Sequence, residues 1–434
     1  MDPVTVGIIG IVILIVLFML GMPVGFAMAF VGFAGFGYLV TPNAALGLLA
    51  RDVFTNFSSY SLTVIPMFIL MGTLASASGI STRLYASTHT LFGKVRGGLA
   101  MATILACAGF AAICGSTSAT AAAMGKVALP EMKKYKYDDS LATGSVASAG
   151  SLGILIPPST IFIIYGILTQ QSIGKLFLAG IFPGVLLTLL FLAVVIILCK
   201  RNPALAPAGQ PSTLKQKITG MLGITEMMLL FILVMGGLFA GWFSPVQAGA
   251  VGAAGALLIG LLRRNLTWET FKDALKETVK VTCEIMIIVT GAIILGHFIA
   301  VTTIPNMLSG WIADLGLPNV AVMAIIILMY IIGGLFMDSL AMITLTIPII
   351  YPLVLSLNFD PIWFGVIIVL VTEMGVITPP VGINVYVIKG ITKGVSLETI
   401  FKGIFPFLIA IIICVALLLT FPKIATFLPS ILLN

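Results

Sequence analysis

The sequence has little of what a water-soluble active centre is built from. Among 434 residues there are two histidines (His89 and His297), five cysteines and 37 charged side chains, 22 Lys and Arg with 15 Asp and Glu. Charged residues make up 9% of the chain, against roughly a quarter in an ordinary soluble domain. Two histidines nearly exclude a His-ligated catalytic metal. Cys107, Cys114, Cys199, Cys283 and Cys414 form no CxxC pair and sit in apolar segments, so they read as packing residues and not as a disulfide framework. No Ser/His set or pair of carboxylates occurs at helical spacing, which speaks against an enzyme.

What the chain has in excess is apolar surface. Hydrophobic residues reach 60%, mean hydropathy is +1.20, and runs such as Val4 to Leu20, Leu186 to Leu198 and Ile404 to Leu419 carry no charge. A fold of this composition cannot hide its apolar side chains from water, so most of its surroundings must be lipid. Secreted scaffolds, disordered regulators and nucleic-acid binders are excluded. The pI near 9.1 then marks membrane orientation and not a polyanion site. At the N-terminus no basic region precedes the first apolar run and no small-residue cleavage site follows it, so it reads as a retained span.

A bilayer core of about 30 Å takes roughly 20 helical residues to cross. The stretches 4–20, 24–40, 61–80, 140–171, 174–199, 223–243, 246–262, 281–302, 361–390 and 404–422 suit that ruler. Residues 98–132 and 320–356 do not. Each is a pair of short apolar arms around a polar centre, Gly115-Ser116-Thr117-Ser118 and Asp338-Ser339. This suits re-entrant hairpins, tolerated in lipid only where protein or a cavity covers the tip.

Charge tests that topology. Residues 81–97, 133–137, 200–217, 263–280 and 389–402 fall on one side with 18 of the 22 Lys and Arg. Arg51, Lys175 and Lys423 fall opposite, and Lys126 lies within a hairpin arm. The rich face is therefore cytoplasmic, and counting either hairpin as a full crossing spoils the split. Residues 82–96 and 266–280, the latter with Thr267 as N-cap, are expected as interfacial helices, and 202–217 as a linker dividing the chain almost in half.

The two halves repeat. A shift of 222 residues pairs Ala119 with Ala341, Pro130 with Pro352, Asp138 with Asp360, Gly153 with Gly375, Pro157 with Pro379 and Pro158 with Pro380. Three of these six identities are prolines, although proline supplies only 22 of 434 residues. Five crossings separate equivalent points. An odd number makes the halves inverted copies, an arrangement found in many secondary transporters.

Each copy places a span broken by a proline pair after its hairpin tip. In Gly153-Ile-Leu-Ile-Pro-Pro-Ser159 the prolines cannot donate to the carbonyls of Gly153 and Ile154; in Gly375-Val-Ile-Thr-Pro-Pro-Val381 those of Gly375 and Val376 are freed. Bare carbonyls in a dry interior are costly. A small hard cation is their natural partner, with the hydroxyls of Ser116, Thr117, Ser118 and Ser339 on the adjacent tips completing a shell. Helix N-termini at tips and breaks suit an anionic group, and Ser159, Thr160 and Asn384 start the second half-helices. Asp338, Glu373, Glu284, His297 and Lys126 are the ionisable residues expected in the interior. Asp338 is the strongest site candidate among them, because it stands at the second tip where the first has Ser116.

The segments Gly115-Ser-Thr-Ser-Ala-Thr-Ala-Ala-Ala-Met-Gly-Lys-Val-Ala-Leu-Pro130, Ile156-Pro-Pro-Ser159, Phe336-Met-Asp-Ser339 and Thr378-Pro-Pro-Val-Gly-Ile-Asn384 together resemble the large, DctM-like M subunit of tripartite ATP-independent periplasmic (TRAP) transporters, of the ion transporter superfamily. The likeness extends over essentially the whole chain. It implies an all-α polytopic protein of the bacterial inner membrane with inverted repeats, two re-entrant hairpins and two broken transmembrane helices. It also implies sodium-coupled import of an organic acid such as a C4-dicarboxylate or sialic acid by an elevator mechanism. The implied partners are a small four-helix membrane subunit of the Q type and a periplasmic substrate-binding protein of the P type. No four-helix segment precedes Met1, so the small subunit is expected as a separate chain.

Carried over by position, the resemblance places one sodium ion (Na+) around Ser116, Gly153 and the carbonyls before Pro157. A second falls at Asp338, Gly375 and Thr378, with Ser339 beside it. Substrate would lie near Thr117, Ser118, Ser159, Thr160 and Asn384. Arginine, the usual carboxylate clamp, is absent from the expected core, so hydroxyls and amides must hold the acid. The expected division is 1–97 scaffold with the first interfacial helix, 98–171 first transport repeat, 172–280 scaffold with linker and second interfacial helix, 281–390 second transport repeat, and 391–434 a C-terminal scaffold span. The alternative reading is a stand-alone divalent-anion sodium symporter or exchanger without a binding protein.

Overall fold

Backbone polar groups in lipid must be satisfied within their own segment, and the chain answers with helices throughout. In this computed structural model the described residues are 1–92, 95–207, 214–392 and 394–433. Residues 93 and 94 of the first surface segment and 208–213 of the expected linker lie outside them. Among the described residues six helices are long and apolar enough to cross a membrane, or seven when the bent pair Pro42–Phe57 and Ser61–Ala77 counts as one.

The repeat governs helix boundaries as well as motifs. Moved by 222 residues, Thr117–Lys134 falls on Ser339–Ser356 and Asp139–Leu155 falls on Pro361–Ile377, end for end. Caps recur with them. Asp138 and Asp360 both cap their spans, accepting from Ser140 N–H at 2.9 Å and from Ile362 N–H at 2.7 Å. The first hairpin is Gly98–Cys114 and Thr117–Lys134, and the second is Asn319–Gly334 and Ser339–Ser356. The incoming arms have 17 and 16 residues, and the returning arms 18 each. The broken spans continue beyond their breaks as Thr160–Thr169 and Ile383–Ile391.

Packing separates an outer frame from an inner cluster. Val24–Leu39 crosses Trp268–Val301 through glycine: a methyl on Gly25 would meet the Ile287 backbone at 2.8 Å, and one on Gly32 the Leu295 nitrogen at 2.7 Å. Such small-residue contacts let helices approach where lipid supplies no hydrophobic drive. Pro3–Met19, Val64–Ala77 and Pro245–Leu262 complete this layer. Inside it the hairpins enclose the broken spans. Ile173–Arg201, Leu397–Thr420 and the terminal Lys423–Leu432 pack on the broken spans and on one another. Residues 281–301 belong to the helix Trp268–Val301, which packs on Val24–Leu39, on Val64–Ala77 and on the returning arm of the second hairpin.

Further differences have local causes. The interfacial helix expected at 266–280 is the start of one 34-residue helix, Trp268–Val301. Thr267 does cap it, accepting from Thr270 N–H at 3.2 Å, but no glycine or proline interrupts the chain between the charged turns and the span. The repeat mate of Ile80–Phe92 is instead Ile304–Asp314, and each links the frame to a hairpin. Pro42–Phe57, an amphipathic helix without a long apolar run, was not anticipated. Cys283, Glu284 and Lys126 are not covered by the chain, because they lie on outward faces of amphipathic helices. His297 is half-buried and pairs through Nε2 with Asp52 at 3.1 Å. Glu226 joins Arg83 at 2.7 Å and also Arg263, tying three frame elements together.

Candidate functional site

At the first tip, Gly115 ends the incoming arm with φ +64°, a left-handed conformation that glycine adopts without penalty. Ser116 then caps Thr117–Lys134, accepting from Ala119 N–H at 3.4 Å. Gly153, the last glycine before the break, lies directly beneath: a methyl there would overlap the Ser116 carbonyl. The Gly115 carbonyl accepts from the Thr160 hydroxyl at 3.0 Å, and Ser159 accepts from Phe162 N–H at 3.3 Å to start the second half-helix. Ile156 N–H goes to the Leu152 carbonyl at 3.0 Å. Pro157 and Pro158 have no N–H to follow, so among the described residues no hydrogen bond reaches the Gly153 or Ile154 carbonyls.

The second half is built alike with different chemistry. Asp338 caps Ser339–Ser356, accepting from Ala341 N–H at 2.9 Å through Oδ1, and its other oxygen has no hydrogen-bond partner among the described residues. Gly375 presses on the carbonyl of Gly334, at the end of the incoming arm and not at the tip residue. Ser339 donates to the Thr372 carbonyl at 3.4 Å, while the Thr378 hydroxyl donates to the Met374 carbonyl. One expected vacancy is filled: the Gly375 carbonyl accepts from Thr378 N–H at 3.3 Å, because the last turn tightens to an i to i+3 bond before the first proline. The Val376 carbonyl stays free of hydrogen bonds among the described residues.

The halves interlock through the helices beyond their breaks. Thr160–Thr169 packs on the returning arm of the second hairpin, with the Tyr165 and Tyr351 rings 6.3 Å apart, and Ile383–Ile391 packs on the returning arm of the first, with Ile388 and Ile391 against Gly125. Asn384 spans the two halves, donating to the Ala147 carbonyl at 3.1 Å. Each tip and break is thus held by elements of both copies.

The structure brings Ser116, Gly153, Pro157, Ser159 and Thr160 into one group and Asp338, Ser339, Gly375 and Thr378 into a second. Ser159 and Asn384 are fully enclosed, Thr117 is buried, and Ser116 and Ser118 are partly open. Glu373, two residues before Gly375, is 0% exposed and neither carboxylate oxygen has a hydrogen-bond partner among the described residues. Sequence reasoning missed Gly334, Asp52 and the Arg83–Glu226–Arg263 cluster. A glycine four residues ahead of Asp338 was the only signal for the first, and the ion pairs join residues with no shared spacing.

The polar atoms these residues present are oxygens of carbonyls, hydroxyls and a carboxylate, the donor type that hard cations take. The architecture defines a membrane transporter fold. It matches the solved Alcanivorax borkumensis YdaH transporter with a TM-score of 0.65 at 14% identity, covering 87% of this chain and 88% of that one. Neisseria gonorrhoeae MtrF, of a class of antimetabolite efflux pumps, matches with a TM-score of 0.60 at 14% identity over 97% of this chain and 95% of that one. Closer likeness is in sequence. The chain is 33% identical to the C4-dicarboxylate TRAP transporter large permease DctM of Pseudomonas aeruginosa, over 90% of this chain and 91% of that protein. It is 31% identical to the sialic acid large permease SiaM of Vibrio cholerae over 95% and 96%, and 31% identical to the ectoine/5-hydroxyectoine large permease UehC of Ruegeria pomeroyi over 96% of each. The family described as "Tripartite ATP-independent periplasmic transporter, DctM component" matches residues 11–424. The chain belongs to that family: it is a TRAP transporter large permease, a multi-pass inner-membrane protein and not an enzyme.

Proposed function

We propose that the chain imports an organic acid by coupling it to sodium. The observation that carries this reading is the duplicated contact of a break glycine with a hairpin carbonyl, Gly153 with Ser116 and Gly375 with Gly334, beside carbonyls that proline leaves without donors. Sodium fits these donors because it takes oxygen ligands without demanding thiolate or imidazole. Ser116, Gly153 and Ile154 would supply one ion, and Asp338, Ser339, Val376 and Thr378 the other, with Gly375 positioning the second cage. The substrate carboxylate would meet Thr117 and Ser118 at the partly open first tip, whereas Ser159, Thr160 and Asn384 would hold the surrounding backbone.

Both hairpins are read as re-entrant, since a polar tip joins the two arms of each and the charge split holds only if neither hairpin crosses. The frame would stay fixed while the inner cluster moves across the membrane with ions and acid aboard. Relatives named for C4-dicarboxylate and sialic acid support a carboxylate as cargo, and family membership supports a small four-helix membrane subunit and a periplasmic binding protein as partners. Reconstituted with those partners, the chain should accumulate its acid only under an inward sodium gradient. Equal uptake after sodium is replaced by potassium would overturn the reading.

A further inference from the structure

The two copies also differ in how their breaks are covered. Both halves carry Gly-Ile-Phe-Pro in the helix that follows the broken span, at 180–183 and 403–406. In the first half this glycine sits on its own break: a methyl on Gly180 would stand 2.6 Å from the Leu155 carbonyl, and one on Gly184 2.7 Å from the Ile156 side chain. Pro157 and Pro158 are buried, Pro158 with its carbonyl against Gly115 of the tip. In the second half Gly403 is spent elsewhere, against the Ser140 carbonyl and the Gly144 backbone of the other span. Leu397–Thr420 has no such glycine contact with its own break, and Pro379 and Pro380 stay exposed.

The space left is a groove of about 430 Å³ with Ile377 and Pro379 on one wall and Phe401, Ile404, Phe405 and Leu408 on the other. Its size lies within the roughly 300–1,000 Å³ of small-molecule sites. Glu398 and Lys402 also line it, paired at 2.8 Å, with side chains 76% and 71% exposed. Around it Phe405 is 65% exposed and Ile409 46%, so the flank beyond the groove is apolar. The charged end belongs to the lysine-rich face and the apolar end runs toward mid-membrane.

The geometry points to a phospholipid of the cytoplasmic leaflet as the occupant, one acyl chain in the groove and a zwitterionic headgroup with a primary ammonium on the ion pair. Lys402 meets the phosphate and Glu398 accepts N–H bonds from the ammonium. A choline headgroup has no N–H for Glu398, and a glycerol headgroup offers it no positive charge. Charge complementarity thus selects phosphatidylethanolamine over phosphatidylcholine and phosphatidylglycerol. Ile377 and Pro379 flank Thr378, so the lipid completes the wall of the second break that protein supplies at the first.

The test uses the purified full chain in detergent, delipidated and then supplied with each of the three lipids with matched acyl chains. Phosphatidylethanolamine should raise the unfolding midpoint by several degrees more than either of the others, and native mass spectrometry should find it retained in preference. The double variant Glu398→Gln with Lys402→Gln should bind the three alike, and Leu408→Trp, which fills the groove, should lose the shift. Equal shifts for all three lipids in the unaltered chain, or no shift with any, would overturn the assignment without recourse to a variant. So would an ethanolamine preference that survives both substitutions.

Discussion

Two glycines carry the candidate site because nothing larger fits between a hairpin carbonyl and the bare end of a broken helix. Adding the methyl of alanine at Gly153 or Gly375 forces backbone against backbone, at a cost of roughly 1–3 kcal/mol. Each of Gly153→Ala and Gly375→Ala should lower the unfolding midpoint and weaken one ion site, read as reduced sodium stabilisation of the purified protein. Asp338 separates charge from structure more cleanly. It caps its helix, and asparagine caps as well as aspartate, so Asp338→Asn should express and fold while losing sodium dependence or uptake. An unchanged sodium titration in that variant would remove Asp338 from the site. Glu373 is enclosed with both oxygens unpaired among the described residues, a placement that is costly unless a counter-charge accompanies it.

At the level of elements, the inner cluster depends on close helix crossings as much as on apolar area. Leu397–Thr420 meets Asp139–Leu155 where Gly403 touches Ser140 and Gly144 backbone. Gly403→Val should therefore cause a marked fall in unfolding midpoint, while Gly47→Ala, at a helical glycine with nothing within 4 Å, should change it little. The sequence disclosed the hairpins and breaks because proline and glycine impose their geometry locally, and the 222-residue repeat doubled the signal. It hid Pro42–Phe57, whose alternation of polar and apolar residues resembles a solvated loop, and it hid the continuity of Trp268–Val301, because charged residues enter a long helix without breaking it. The site was legible as a set of residue types and illegible in its bonds. Whether Gly375 keeps a free carbonyl was decided by how the last turn closes, and the enclosure of Asn384 was decided by a partner, Ala147, in the other half.

For the whole molecule, the interlocked halves tie both proposed ion sites to one set of packed helices. Thr160–Thr169 rests on the second hairpin and Ile383–Ile391 on the first, so filling either site stabilises elements of both copies. Ligand that binds only the folded state adds stability as RT ln(1 + [L]/Kd), about 2.7 kcal/mol at a hundredfold excess over Kd. The most direct measurement is the unfolding midpoint of the purified protein titrated with sodium chloride against potassium chloride at constant ionic strength. The account predicts a midpoint that climbs with sodium alone and a smaller climb in Gly153→Ala and in Gly375→Ala. Superimposable curves in the two salts would contradict it.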